Sequence, residues 1–201
     1  MYAQNDPGNF FDPNGREVVA NYYRDSGIMQ VRDLDTGEVR YATNGFSGGW
    51  AHAQYGGPVP DGNYAILFHP NPDGRFRLER YDNRFGDDRT PEGRSQIRLH
   101  LGTMSSGCIT LARNSCNASV MESIRDTRTT TATIREGGLI SNGTEETTSY
   151  GLLSVHSEGG YRFNQETGAV TYEYQHYETG SRIPRTVSEH VCTVKEDGTC
   201  E

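Results

Sequence analysis

In "IRLHLGTMSSGCITL", residues 97 to 111, His100 and Cys108 are separated by a run of small and polar residues. A free thiol ionises near pH ~8.5, so only a few per cent is thiolate at neutral pH. An imidazole that takes the thiol proton makes the sulfur a competent nucleophile toward a carbonyl carbon. On one extended strand the two side chains sit roughly 26 Å apart, at ~3.3 Å per residue, and cannot cooperate. "LGTMSSG" cannot sustain a strand, however, because Gly102 and Gly107 bracket a small polar loop and glycine admits the reversed backbone angles a loop needs. The spacing therefore predicts that the chain folds back. If "IRLH" and "CITL" then lie side by side, facing residues approach to ~4.5 to 5.5 Å at Cα. Gly107 leaves backbone N–H groups unshielded, so the amides of Gly107 and Cys108 can donate to an oxyanion, one such donor contributing ~3 to 4 kcal/mol. The plainer reading of the same residues is a small buried cysteine and a histidine satisfied at a strand end.

The elements that must hold this loop are strands. The chain has 201 residues, enough for one domain with a real core. An apolar fraction of 33% with 24 glycines and 12 tyrosines suits short strands joined by many turns. The expected fold is mainly β with one or two short helices. "GIMQVRDLDTGEVRYATNGFSGG" alternates around "DTGE" as a hairpin does. Tyr64 to Phe68 and Phe76 to Tyr81 read as two strands across "NPDG". Residues 82 to 95 form a long polar loop, and its acidic run lacks EF-hand spacing, which argues against calcium. "NSCNASVMESIRDT" is the best helix, capped by Asn114 or Ser115, with Val120, Met121 and Ile124 at helical spacing. "TTTATIREGG" reads as a strand, "SNGTEETTSY" as a polar linker, and "YRFNQETGAVTYEYQHYETG" as a further hairpin. The expected organisation is an N-terminal arm over 1–16, a core domain over 17–137 and a C-terminal extension over 138–201 packed on it.

Composition excludes several partners. The net charge of −8 and the lack of a basic cluster argue against nucleic acid. No apolar run approaches the ~20 residues of a membrane helix, and "MYAQNDPGNFFDPNG" lacks the charged start and apolar middle of a secretory signal, so the expectation is a soluble chain that leaves its cell, if at all, without a cleavable leader. The cysteines other than Cys108 are Cys116, Cys192 and Cys200; the last two can bond to each other or to Cys116 in an oxidising space, or stand as unpaired thiols. No C-x-x-C or H-x-x-x-H spacing marks a metal site, and His52, His69, His156, His176 and His190 read as structural. Asn117 and Asn142 match the N-x-[ST] pattern only as often as chance allows in a chain this rich in Ser and Thr.

"RLHLGTMSSGCITL" resembles the signature of the L,D-transpeptidase (YkuD-like) catalytic fold, in which a histidine precedes a [ST]-H-G-C segment. It is more similar still to the DUF2778 branch, which includes the type VI secretion L,D-transpeptidase effectors. "GFSGG" and "GPVPDGNYAI" resemble the lead-in strands of that family, and the resemblance covers roughly residues 17 to 137. It implies an L,D-transpeptidase-like β-sandwich with a C-terminal β-hairpin extension. It further implies Cys108 as the acylated nucleophile, His100 as its base, and Gly107 with Ser106 in the backbone oxyanion pocket. Ser106 and Ser105 stand where ordinary members carry histidine and [ST], as in the effector branch. Thr110 replaces the arginine usual two residues after the cysteine, which puts the usual binding of a substrate carboxylate in doubt; Arg98 or Arg113 is the candidate to supply that charge.

The resemblance implies a cofactor-free, metal-free enzyme acting on peptidoglycan stem peptides as an L,D-carboxypeptidase, a D-amino-acid exchanger or a cross-linker. It also implies an antibacterial effector, made in the cytoplasm, passed through type VI secretion machinery into a target's periplasm and paired with a cognate immunity protein. Two alternatives carry different chemistry: a wall-binding β-domain without turnover, and a cysteine peptidase or amidase that cuts another bond.

Overall fold

The structure, a computed structural model, describes residues 17–48, 57–71, 74–135, 143–176 and 185–201. The expected arm over 1–16, His52 and the Asn142 match lie outside the described residues. The described chain is mainly β with a single helix, in two sheets.

In chain order the strands begin with β1 (Val18–Tyr23), β2 (Ile28–Asp33), β3 (Val39–Ala42) and β4 (Gly45–Ser47). Then follow β5 (Gly62–Leu67), β6 (Phe76–Arg80), β7 (Arg98–Gly102) and β8 (Ile109–Ala112). The helix α1 (Ser115–Asp126) precedes β9 (Thr130–Arg135), β10 (Thr144–His156), β11 (Tyr161–Phe163), β12 (Ala169–His176) and β13 (Arg185–Thr193). The larger sheet runs β3-β2-β1-β10-β5-β6-β7-β8-β4, with β9 added to β10. Its two end strands, β3 and β4, are joined by residues 43 and 44 alone, so the sheet must curl until its edges meet.

Alternation explains which side chains fill the curl. Ala20 and Tyr22 of β1, Tyr64 and Ile66 of β5, Leu99 of β7, Ile109 and Leu111 of β8, and Leu153 and Val155 of β10 form one buried cluster. Helix α1 closes it with Val120, Met121 and Ile124, the positions its 3.6-residue period places on one face. Its cap is Asn114, whose side chain accepts from the Asn117 amide at 2.7 Å. Asn117 itself is buried and ties the helix to the β3–β4 connection and the end of β8: its Nδ2 donates to the Thr43 and Ala112 carbonyls at 2.8 Å, and its Oδ1 accepts from the Thr43 amide at 2.9 Å.

The segment expected to be a polar linker is instead the start of β10, a strand inside the large sheet between β1 and β5. Its first three residues are exposed, but from Ser149 onward every second residue is buried, and the β-branched threonines suit a pleated surface. β10 pairs parallel with β1 and antiparallel with β5 and β9. A change of register falls between Ser149 and Gly151. Gly151 has φ +142°, and a Cβ there would lie 2.0 Å from the Val18 carbonyl oxygen, so only glycine fits. Residues on both sides of the boundary expected at 137/138 thus belong to one sheet. The expected C-terminal hairpin forms as β11 and β12, and β13 adds a third strand. Val170 and Cys192 of this small sheet cover Ile28 and Tyr41, and Cys192 is bonded to Cys200. Cys108 and Cys116 are free.

Candidate active site

β7 and β8 lie side by side and run parallel, with Leu99 opposite Ile109, His100 opposite Thr110 and Leu101 opposite Leu111. A parallel neighbour requires the chain to return the whole length of β7 before it starts again. Residues 103 to 108 can span about 20 Å and the strand rises about 16 Å, so the connection is nearly taut. Leu99, Ile109 and Leu111 point into the core, which leaves His100 and Thr110 on the opposite face. Gly102 shares that face, since a Cβ there would meet both Thr110 and the His100 ring.

The returning loop is fastened by Ser105. This buried hydroxyl donates to the Cys108 carbonyl at 2.6 Å and accepts from the amides of Gly107 and Gly48 at 3.2 and 3.3 Å. Ser105 is therefore a hub of the loop, while Ser106 is exposed. Gly107 takes φ +109°, which places the turn into β8 at a residue with no side chain. Its amide is the one held by Ser105.

The His100 ring has defined partners. Nδ1 lies 3.2 Å from the Leu101 carbonyl oxygen. A carbonyl only accepts, so Nδ1 carries the proton and the lone pair is on Nε2. Thr110 Oγ1 sits 3.2 Å from Nε2 and 3.3 Å from the Met104 carbonyl oxygen, to which it can also donate. Burial pushes the imidazole pKa down, and the charges of Arg75 and Arg113 push the same way against the Leu101 carbonyl.

Two residues before Thr110, Cys108 stands about 8 Å from His100 at Cα by strand spacing and rise. Its thiol points along β7: Sγ lies 3.8 Å from the Gln96 carbonyl oxygen and accepts from the Arg98 amide. Burial raises the thiol pKa, opposed by that amide and by the charges of Arg98, Arg75 and Arg94. The resting pair is thus a neutral thiol near a neutral imidazole, each held by its own strand.

Around the sulfur, loop 82–96 is anchored at three points. Glu79, fully buried on β6, accepts from the amides of Gly86 at 2.9 Å and Asp88 at 3.2 Å and from Arg77 Nε at 3.1 Å. Burial raises its pKa against the Arg77 guanidinium. Asp88 holds Arg98 through both carboxylate oxygens at 2.9 and 3.0 Å, which commits Arg98 to the scaffold. Arg94 donates to the carbonyls of Gly57 and Pro58 and reaches that of Gly107 at 3.4 Å. Asp88 and Gln96 both adopt φ near +56° and are joined by the Gln96 amide on the Asp88 carbonyl. Arg113 is exposed beyond the end of β8.

Sequence reasoning paired His100 with Cys108 and missed Arg75, Arg94, Asp88 and Gln96. Three of these lie on or beside the polar loop, where only the tertiary fold shows which charges turn inward. Among the described residues no group of three or more His, Cys, Asp or Glu comes together to hold a metal ion, and no helix is long and apolar enough to cross a membrane.

No family model matches the chain, and no curated protein matches it. Among solved structures, two of the helical cell shape determining protein Pgp2 from Campylobacter jejuni are similar. One, a mutant, has 14% identity and a TM-score of 0.45 over 74% of this chain and 49% of that one. The other has 10% identity and a TM-score of 0.43 over 97% of this chain and 96% of that one. The chain spans about half the length of the first.

Proposed function

We propose that the protein is a cysteine acyltransferase of peptidoglycan stem peptides, an L,D-carboxypeptidase or L,D-transpeptidase with Cys108 as nucleophile and His100 as base. The observation that carries this reading is the parallel pairing of β7 with β8, which brings His100 within two register positions of Cys108 beside a loop of small residues. The sequence resemblance at residues 97 to 111 supports the substrate class.

In the proposed reaction the Cys108 sulfur attacks the carbonyl carbon of the third residue of a tetrapeptide stem, and His100 Nε2 takes the thiol proton. The carbonyl becomes an oxyanion, to which the Cys108 amide donates. On collapse the C–N bond to the terminal D-alanine breaks, the His100 proton passes to the leaving amine, and a thioester remains. Water then gives the tripeptide, a D-amino acid gives exchange, and a stem amine gives a cross-link. No metal or organic cofactor enters. For the pair to meet, the thiol turns from Gln96 and the Thr110 hydroxyl from Nε2. As an antibacterial effector the chain is made in the cytoplasm, passes through type VI secretion machinery and acts in a target's periplasm, with an immunity protein in the producer.

The test is incubation of the purified protein with tetrapeptide muropeptides. Tripeptide or exchanged product, a Cys108 thioester in the intact mass, and loss of both in Cys108→Ala are expected. Product from Cys108→Ala equal to wild type would show that the nucleophile is elsewhere. A wall-binding domain without turnover is the second reading, favoured by the separate resting partners of Sγ and Nε2. Muropeptide binding with no product and no thioester would select it.

A further inference from the structure

Thr110 is fully buried on β8, opposite His100 on β7. Its hydroxyl has one hydrogen to give and two acceptors beside it, His100 Nε2 at 3.2 Å and the Met104 carbonyl oxygen at 3.3 Å. With the ring neutral, the hydrogen serves one acceptor and leaves the other without it. With the ring protonated, Nε2–H donates to Oγ1 and the hydroxyl donates to Met104, so each group in the chain is satisfied. The same atoms therefore suit an imidazolium better than an imidazole. Gly102 gives this contact its room, since a Cβ there would lie 3.1 Å from the Thr110 methyl and 3.3 Å from the ring.

Among the described residues, the charges that bear on the ring are positive: Arg75, just before β6, and Arg113, just after β8. On β7 itself Arg98 is turned to Asp88, and on β8 Cys108 holds a neutral thiol against the Gln96 carbonyl. The other ring nitrogen, Nδ1, faces the Leu101 carbonyl, a neutral acceptor. A proton arriving at Nε2 thus meets no carboxylate among these groups and has Thr110 as its partner.

Given the acyl-transfer reading above, on which this inference rests, the ring carries a proton from the moment the thiol loses it until the amine departs. We propose that Thr110 is a positioning residue that holds His100 in its protonated form, through a hydrogen-bond chain that ends on the Met104 carbonyl. The Cys108 S–H bond breaks as an N–H bond forms at Nε2, and the sulfur's electron pair goes to the carbonyl carbon of the substrate. The hydrogen of Thr110 turns to Met104, and its oxygen accepts from the new N–H. When the C–N bond breaks, that N–H proton passes to the leaving nitrogen, and Thr110 keeps its own hydrogen throughout. A hydroxyl that merely blocked Nε2 would act in the opposite direction, because its removal would free the base.

The experiment compares wild type with Thr110→Val, which keeps the shape and removes the hydroxyl, and Thr110→Ser, which keeps the hydroxyl, each checked for native circular dichroism. NMR titration of the His100 ring should place its midpoint about one pH unit lower in Thr110→Val and close to wild type in Thr110→Ser. On a stem tetrapeptide, Thr110→Val should lower kcat/KM about tenfold and move its acid limb down in pH, and Thr110→Ser should restore both. In wild type, the Met104 carbonyl carbon should shift downfield as His100 gains its proton, a readout that needs no variant. An unchanged or raised midpoint in Thr110→Val, a gain in kcat/KM, or a Met104 carbonyl that does not respond overturns the proposal. If the titrations behave as expected but wild type forms no thioester, the chain from His100 to Met104 stands and the acyl-transfer reading falls.

Discussion

Arg94 reaches the carbonyl oxygen of Gly107 at 3.4 Å, across the peptide bond whose N–H belongs to Cys108. In a trans peptide the C=O and N–H point in opposite directions, so a guanidinium that holds the oxygen also aims the amide. The same guanidinium is anchored on Gly57 and Pro58. Arg94→Gln should lower kcat by about 10- to 100-fold with little change in KM, the signature of a lost transition-state donor. Arg94→Lys should recover little, because one ammonium cannot span three carbonyls. Steady-state kinetics on a tetrapeptide substrate, with the Cys108 amide followed by NMR, checks both.

The pH dependence follows from burial. His100 is held below its ordinary 6.5 and Cys108 above its ordinary 9.0, so the pair is neutral across the physiological range. A neutral base and an intact thiol require kcat/KM to form a broad plateau, with its acid limb below pH 6.5 and its alkaline limb above pH 9.0. Iodoacetamide alkylation of Cys108 should be slow at pH 7 and rise above pH 9.0. The linkage signs agree: as pH falls through 6.5 the unfolded chain binds the proton at His100 first, and as pH rises through 9.0 it releases that of Cys108 first, so stability declines at both ends. A thiol labelled rapidly at pH 6 would instead indicate a thiolate–imidazolium pair.

Glu79 is fully buried and Arg77 is partly exposed. Glu79→Ala removes the acceptor of the Gly86 and Asp88 amides, while Arg77 keeps the Gly86 carbonyl at 3.0 Å and Asp88 at 3.7 Å, a change that costs about 1 to 3 kcal/mol. Urea unfolding should show that loss, and hydrogen exchange should show the amides of Gly86 and Asp88 released with it.

The Cys192–Cys200 bond closes a short loop over Tyr41, whose amide donates to the Gly198 carbonyl at 2.7 Å. Paired replacement by serine should cost about 2 to 3 kcal/mol on the chain-entropy estimate. Iodoacetamide in denaturant should label two cysteines, Cys108 and Cys116, before reduction and four after it. Native labelling of Cys116 should be slow, because burial and Asp197 push its pKa up to about 11.

What could be read from the sequence was local. The period-two runs at Ile28–Asp33, Gly62–Leu67 and Phe76–Arg80, the capped helix at Ser115–Asp126 and the glycine-bracketed loop before Cys108 all depend on near neighbours, whose preferences survive in any fold. What escaped depended on partners far along the chain. "VVANYY" becomes β1 because it pairs in parallel with Gly151–His156 of β10 across more than a hundred residues, and no local pattern encodes such a partner; "TEETTSY" opens β10 against the neighbouring β9.

The candidate site divides in the same way. The residue types and spacing of His100 and Cys108 state by themselves that a thiol and an imidazole can meet, because a glycine-rich loop must turn the chain. Only the tertiary structure decides that the two strands run parallel, that Thr110 and not Cys108 lies beside Nε2, and that Arg98 is spent on Asp88. Those outcomes are set by which strand lies beside which, and strand order is settled by burying the core as a whole.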